Sequence, residues 1–190
     1  MTSSLHLVGI AGSLRKGSLN RALLETIQSD LLPDGVTLDL LDISDLPLYN
    51  ADLETGQAAP GTVTRLRTQI AQADGVLIAM PEYNHTVPGL LQNAIDWASR
   101  PSYQSCLVGK PVGLMGVSPS PVGTARGQQA MKLVLAAVMA RLMPHPGVLV
   151  GSAMSKFEDG RLTDEATRAF VAKYLESLAS FVRSTGPVEA

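Results

Sequence analysis

The sequence predicts an α/β protein in which a parallel β-sheet is enclosed by helices on both faces, a three-layer α/β/α sandwich. Short apolar runs alternate along the chain with longer segments of helical periodicity, which is the pattern of repeated strand–helix units. The run at 75–80 is apolar without interruption, as expected for a strand that helices cover on both faces. At 190 residues the chain is long enough for a full core and short for two domains, so we expect one domain over 1–190.

Each element follows from its own pattern and from the residues that end it. Pro33 and Gly35 end the first helix, and Pro101 ends the third. The strands are predicted at 5–10, 36–41, 75–80, 111–117 and 146–150, and the helices at 19–32, 63–73, 87–98, 124–143 and 163 to about 182. Right-handed crossovers between five parallel strands fit the flavodoxin-like order 2-1-3-4-5. The segment 42–60 is a long irregular connection, a type that is usually functional or mobile.

Composition excludes several classes of function. The net charge of -2 and the lack of a basic run give no sign of nucleic-acid binding. The single cysteine, Cys106, rules out an internal disulfide and a multi-cysteine metal site. No basic segment precedes the first strand as in a signal peptide, and no apolar run reaches the ~20 residues that span a membrane. We therefore expect a cytoplasmic protein that acts without membrane or metal.

The predicted topology brings three loops to one edge of the sheet. Open α/β sheets bind ligands at the carboxyl ends of their strands, where the strand order reverses. In the order 2-1-3-4-5 that point lies between the first and third strands. The loops 12–18 and 81–88 should therefore face each other across a crevice, and 118–123 should close its far side.

The first loop has the residues of a site for one phosphate group. Gly12 and Gly17 give the frame of a nucleotide P-loop, but the lysine that must follow is absent, which argues against a nucleoside triphosphatase. The glycines do not fit a dinucleotide fingerprint either. Hydroxyl, guanidinium and amide donors ahead of a helix N-terminus suit a phosphate monoester; they are Ser13, Arg15, Ser18 and Asn20. The alternative is a turn in which Ser18 serves only as an N-cap.

A phosphate monoester at the first loop of a flavodoxin-like sheet indicates FMN as the ligand. The loop that begins at Pro81 would then border the isoalloxazine ring. The backbone groups of Glu82, Tyr83 and Asn84 would bond the polar edge of the ring, with Tyr83 or the Asn84 amide beside it.

These motifs resemble those of the NAD(P)H-dependent FMN reductase family, whose members include quinone, chromate and azo-dye reductases. The matching residues are Gly12–Ser13–Leu14–Arg15, Ser18–Leu19–Asn20–Arg21, Pro81–Glu82–Tyr83–Asn84, Pro88–Gly89, Asn93–Ala94–Ile95–Asp96–Trp97, Ser99–Arg100 and, after the second strand, Leu46–Pro47–Leu48–Tyr49–Asn50.

The resemblance implies bound FMN, NADPH or NADH as the electron donor, and a homodimer or homotetramer. It also implies a set of cofactor-binding residues, with the phosphate held by the first loop, the ring by the second and the site closed by Ser118: Ser13, Arg15, Ser18, Leu19, Asn20, Pro81, Glu82, Tyr83, Asn84 and Ser118. No catalytic side chain is expected, because the flavin carries the chemistry.

The expected function is electron transfer from NAD(P)H through FMN to a small-molecule acceptor, in a ping-pong reaction. Quinones, chromate, azo compounds and free flavin are the candidate acceptors. Two alternatives stay open: a non-enzymatic flavodoxin-type electron carrier and a cofactor-free binding module. Flavodoxins are usually strongly acidic and use a phosphate loop without arginine, so Arg15 and the net charge of -2 argue against the carrier.

The helices predict a subunit interface. The segment 124–143 is apolar around most of its circumference, which requires a cover beyond the sheet, such as a second subunit. Asn93, Trp97 and Arg100 lie along one edge of the third helix. We expect a two-fold interface through the helices near 88–100 and 124–143.

Overall fold

The central sheet has four complete strands and a divided fifth position. The computed structural model describes residues 4–54 and 59–185. The strands of the main sheet are β1 (Leu5–Ala11), β2 (Val36–Leu41), β3 (Gly75–Ala79), β4 (Pro111–Val117), β5 (Arg141–Leu142) and β6 (Val148–Val150). They pair in parallel in the order β2-β1-β3-β4, and β5 and β6 both lie beside β4. The predicted order 2-1-3-4-5 is confirmed, with the fifth strand in two parts.

Helices cover both faces of this sheet, as the sequence predicts. They are α1 (Leu19–Thr26, prolonged by a π-helical turn at Ile27–Leu31), α2 (Gly61–Gln72), α3 (Gly89–Ala98), α4 (Ala125–Ala137) and α5 (Glu165–Thr185). Alternate residues of a strand point to opposite faces, so Leu7 packs in the core that α1 and α5 cover, and Val8 in the core under α2, α3 and α4. A short antiparallel hairpin, β7 (Phe157–Glu158) and β8 (Arg161–Leu162), precedes α5. None of the helices in the described part of the chain has the length and apolarity needed to cross a bilayer.

The fifth strand is divided where two prolines interrupt it. β5 pairs with the start of β4 and β6 with its end, and residues 143–147 lie between them. Pro144 and Pro146 have no N–H to donate to a strand ladder. The N–H of Leu114 in β4 donates instead to the hydroxyl of Tyr174 in α5, at 2.8 Å. A tyrosine from the covering helix thus supplies the hydrogen bond that the edge strand cannot.

Helix α4 ends at Ala137, and the prediction that it continues to Met143 is wrong. Met139 adopts a left-handed φ of 59°, which a helix does not accommodate, and the chain turns there. Leu142 then pairs with Val112 as part of β5. Of the apolar residues beyond Ala137, Leu142 therefore lies in strand β5, and Val138 and Met139 form the turn that precedes it.

Helix α3 has no free edge at Asn93 and Trp97, because residues 46–50 of the same chain cover it. Trp97 is fully buried, and its indole N–H donates to the carbonyl of Pro47 at 2.8 Å. The Asn93 amide donates to that carbonyl at 2.9 Å and accepts the N–H of Tyr49 at 2.8 Å. The Tyr49 ring meets the indole edge-on, with 4.9 Å between centroids. Trp97 therefore has no surface to offer a second subunit, and the prediction that it lines an interface is wrong.

Candidate functional site

Three loops follow β1, β3 and β4 at the carboxyl edge of the sheet, and the first two are in direct contact. The N–H of Gly12 donates to the carbonyl of Ala79 at 2.8 Å. A Cβ atom at Gly12 would lie 3.2 Å from the Pro81 ring, so a side chain there would push the loops apart. The predicted meeting of residues 12–18 with 81–88 is therefore present, and glycine permits it.

The first loop ends in a capped helix with free N–H groups. The hydroxyl of Ser18 accepts the N–H of Arg21 at 3.2 Å, and the Ser18 N–H donates to the carbonyl of Arg15 at 3.0 Å. The N–H groups of Leu19 and Asn20 lie in the first turn, where a helix offers them no internal partner. Ser18 is therefore an N-cap, and its hydroxyl hydrogen is still available to a ligand.

Arg15 is an exposed cation beside this helix N-terminus. Over residues 4–54 and 59–185 no carboxylate forms an ion pair with it. The neighbouring hydroxyl of Ser13 makes only a long contact of 3.4 Å with the Arg15 N–H. Unpaired donors at the positive end of a helix dipole suit a ligand that carries a phosphate.

Asn20 has a different role from the predicted one. Its side chain is 3% exposed and turns away from the loop toward β4. The amide oxygen accepts the N–H of Val117 at 2.9 Å, and the amide nitrogen donates to the carbonyl of Val117 at 3.1 Å. The sequence prediction gave this amide to the phosphate, whereas the structure uses both of its polar atoms to hold a strand.

The second loop contains a tight turn that fixes its backbone. Asn84 and His85 have left-handed φ values of 51° and 63°, and the N–H of Thr86 donates to the carbonyl of Tyr83 at 3.0 Å. Two successive residues with positive φ and this hydrogen bond define a type I′ turn. The turn leaves the side chains of Tyr83 and Asn84 exposed.

Glu82 fastens this turn to the start of α4. Its carboxylate, 11% exposed, accepts the N–H of Gly127 at 2.9 Å and lies 3.2 Å from Nδ1 of His85 and 3.8 Å from Arg126. Burial acts to raise the pKa of Glu82, but the hydrogen bonds from Gly127 and His85 outweigh it and hold the pKa below its ordinary value. Glu82 is thus an ionised tether, and only its backbone remains for a ligand.

Arg126 and Gly127 are residues of the site that the sequence did not reveal. Gly127 allows the close approach of the second loop, because a Cβ there would lie 3.1 Å from the carbonyl oxygen of Thr86. The guanidinium of Arg126 lies 3.3 Å from Nδ1 of His85. The one sequence feature that could have indicated them is the glycine that directly follows an arginine at the start of a helix.

The third loop is anchored to β6. The N–H of Ser118 donates to the carbonyl of Val150 at 2.9 Å, and its hydroxyl accepts the N–H of Ser120 at 3.1 Å. Ser118 therefore follows the end of β4 at the place that the sequence predicts, with its side chain engaged in a local turn.

Neither a reactive thiol nor a metal-ligand cluster is found among the described residues. Burial raises the pKa of the Cys106 thiol to about 11, so the thiol stays protonated at neutral pH. Residues 4–54 and 59–185 contain no cluster of three or more His, Cys, Asp and Glu that would hold a metal ion.

Comparisons with known proteins identify the family of this chain. The profile of the NADPH-dependent FMN reductase family matches residues 5–155. The chain is 41% identical to an NAD(P)H-dependent FMN reductase of Pseudomonas aeruginosa, over 96% of this chain and 98% of the relative. It is 40% identical to a quinone reductase of Pseudomonas putida, over 96% and 97%.

Among solved structures, the flavoenzyme FerB of Paracoccus denitrificans, an NAD(P)H:(acceptor) oxidoreductase, superposes with a TM-score of 0.86 at 36% identity, over 96% of this chain and 100% of that one. These matches confirm the family that the two loop motifs indicate. The chain belongs to the NADPH-dependent FMN reductase family.

Proposed function

We propose that the protein is an FMN-dependent oxidoreductase that uses NAD(P)H to reduce quinones and related acceptors. The observation that carries the proposal is the unpaired Arg15 beside the free N–H groups of the first turn of α1, in a loop that contacts the rigid turn after Pro81. Relatives named as quinone reductases, and one named 2-hydroxy-1,4-benzoquinone reductase, support the class of acceptor. Family membership and these relatives favour an enzyme over an electron carrier.

The described residues fit FMN and divide its binding between two loops. A phosphate monoester with about two negative charges matches one guanidinium, hydroxyl donors and a helix N-terminus. We assign the phosphate to Ser13, Arg15, Ser18 and the N–H groups of Leu19 and Asn20. We assign the ring to Pro81, Glu82, Tyr83 and Asn84, with Ser118 at the far side.

When bound, FMN supplies the redox chemistry by accepting electrons from the nicotinamide and passing them to the acceptor. The contribution of the protein is to position the flavin. The type I′ turn and the Glu82 tether fix the backbone of the second loop, so its polar groups need no rearrangement to meet a ring. No nucleophile–base pair is required of the side chains.

Mixing the purified protein with FMN tests the function. We expect a yellow complex after removal of free flavin, and oxidation of NADPH or NADH that a benzoquinone accelerates. A complex that binds FMN without turnover would favour the electron carrier. A protein that stays colourless would overturn the proposal.

Arg15→Ala should weaken FMN binding by about 1.5–3 kcal/mol, roughly ten- to 150-fold in Kd, because a charge-assisted hydrogen bond is lost. Fluorescence titration measures the affinity. Lys16→Ala is the matched control, since it removes an exposed positive charge from the adjacent position and should leave the Kd nearly unchanged. Riboflavin, which lacks the phosphate, should bind both variants alike. An FMN affinity equal to wild type in Arg15→Ala would remove this residue from the phosphate site.

We propose further that two copies associate through α4. Its outer face carries exposed apolar side chains, including Leu133, which is 75% exposed, together with Ala136 and Ala137. Apolar groups in a row on a helix surface favour a cover by another protein surface. The homodimer or homotetramer implied by the sequence would use this face, because residues 46–50 cover the edge of α3.

Leu133→Asp should shift the oligomer to monomer in sedimentation velocity at micromolar concentration, because it places a charge in an apolar interface. Phe170→Asp is the matched control, since Phe170 is a half-exposed apolar residue on α5, across the sheet. A wild-type protein that sediments as a monomer would refute the interface.

A further inference from the structure

The end of β4 carries backbone groups that the neighbouring strand β3 does not satisfy. Along β4, alternate residues face β3, and the Met80 N–H donates to the Met115 carbonyl at 3.0 Å. Val117, two residues on, faces the same side. The chain of β3 leaves the sheet at Pro81, so β3 does not reach the N–H and C=O of Val117.

The side chain of Asn20 takes the place of the missing strand. Its amide accepts the N–H of Val117 at 2.9 Å and donates to the carbonyl of Val117 at 3.1 Å, from 97 residues away in the chain. An amide side chain has one acceptor and one donor group, like a residue of a strand, so it satisfies both backbone groups. The pair is buried, which makes each of these hydrogen bonds costly to lose.

This contact joins two loops of the candidate site. Asn20 lies two residues after Ser18, the cap of the helix that follows the first loop. Val117 immediately precedes Ser118, whose N–H is held by Val150 on the opposite side of β4. The amide therefore sets the position of the third loop relative to the first.

We propose that Asn20 is a positioning residue that holds the third loop, around Ser118, in register with the phosphate loop. The inference rests on the proposed FMN site. A residue that only binds phosphate would affect the affinity for FMN and nothing beyond it. A positioning residue would also change the third loop in the protein without flavin.

Hydrogen exchange in the flavin-free protein provides the first test. Asn20→Ala should speed the exchange of the Val117 amide about tenfold or more, because the side chain that accepts its N–H is removed, and should speed exchange of the amides within residues 118–123. Arg15→Ala is the control from the same loop and should leave these amides at the wild-type rate. Unchanged exchange of Val117 in Asn20→Ala would overturn the inference. Because no flavin is present, this result is independent of the proposed function.

Steady-state kinetics at saturating FMN provide the second test. Asn20→Ala should raise the KM for the quinone, because the displaced third loop closes the far side of the site, whereas Lys16→Ala, which removes an exposed charge outside the binding residues, should keep the wild-type KM. An unchanged KM in the saturated Asn20→Ala enzyme would overturn the positioning role.

A conservative variant keeps the inference testable if Asn20→Ala does not fold. Asn20→Asp keeps the oxygen that accepts the Val117 N–H but presents a second oxygen to the Val117 carbonyl. We expect Val117 to stay protected and residues 118–123 to exchange faster than in wild type. Wild-type exchange of those residues in Asn20→Asp would contradict the role of the amide.

Discussion

Gly116→Ala should destabilise the protein by about 3 kcal/mol, because overpacking of a close-packed interior forces the backbone to move. A Cβ at Gly116 would lie 2.0 Å from the hydroxyl of Thr124 and 2.4 Å from the carbonyl oxygen of Met80. Neither neighbour can move easily: Thr124 is fully buried and its hydroxyl accepts a hydrogen bond from Gln128 at 3.0 Å, and the Met80 carbonyl is backbone. Since Pro81 follows Met80 directly, we also expect weaker FMN binding.

Urea unfolding of the flavin-free protein measures this loss of stability. Gly61→Ala is the matched control, because a Cβ placed at this first residue of α2 would have no atom within 4 Å apart from its chain neighbours and the backbone of its own helix. Alanine at such an open helical position should leave the stability unchanged or raise it by about 0.4–1 kcal/mol. A Gly116→Ala protein as stable as Gly61→Ala would show that β4 and the ring loop can separate without cost.

Trp97→Ala should cost about 3–5 kcal/mol of stability, the range for truncating a buried aromatic side chain. The indole is fully buried and donates to Pro47, and its ring meets Tyr49 edge-on. The main chain of Trp97 also accepts a hydrogen bond from Arg67 at 2.9 Å, which the substitution does not remove. The expected loss therefore comes from the side chain and from the segment 46–50 that depends on it.

Trp97→Phe separates the two contributions. Phenylalanine keeps most of the ring packing and loses the N–H donor, while the Pro47 carbonyl still accepts the Asn93 amide, so we expect a smaller loss of about 0.5–1.5 kcal/mol, the net value of one hydrogen bond. Because Trp97 is the only tryptophan, unfolding of all three proteins is best followed by far-UV circular dichroism. A loss below about 1 kcal/mol in Trp97→Ala would mean that segment 46–50 does not depend on the indole.

The sheet could be predicted from the sequence because its signals are local. Five apolar runs separated by helical segments leave few arrangements once crossovers must be right-handed. The end of α4 could not be predicted, because the apolar residues from Val138 to Met143 fit a buried helix as well as a buried strand. The feature that ends the helix is the left-handed backbone of Met139, and no residue type in that stretch predicts it.

The loops of the site could be located from the sequence, but the partners of their side chains could not. Glu82 and Gly127 are 45 residues apart, and Asn20 and Val117 are 97 apart. The residue type predicted that the Asn20 side chain could donate a hydrogen bond, and the structure shows that the acceptor is the carbonyl of Val117. The prediction of a free edge on α3 failed for the same reason, because the segment that buries Trp97 includes Pro47, which lies 50 residues earlier in the chain.

The divided fifth strand also makes this edge of the sheet a poor site for pairing with a strand of another molecule. An open sheet edge with an unbroken row of N–H and C=O groups invites pairing with the same edge of another molecule and leads to aggregation. Here Pro144 and Pro146 separate β5, of two residues, from β6, of three. Neither part is long enough to template an added strand, and the prolines offer no donors between them. The interruption therefore removes this edge of the sheet as a template for strand addition.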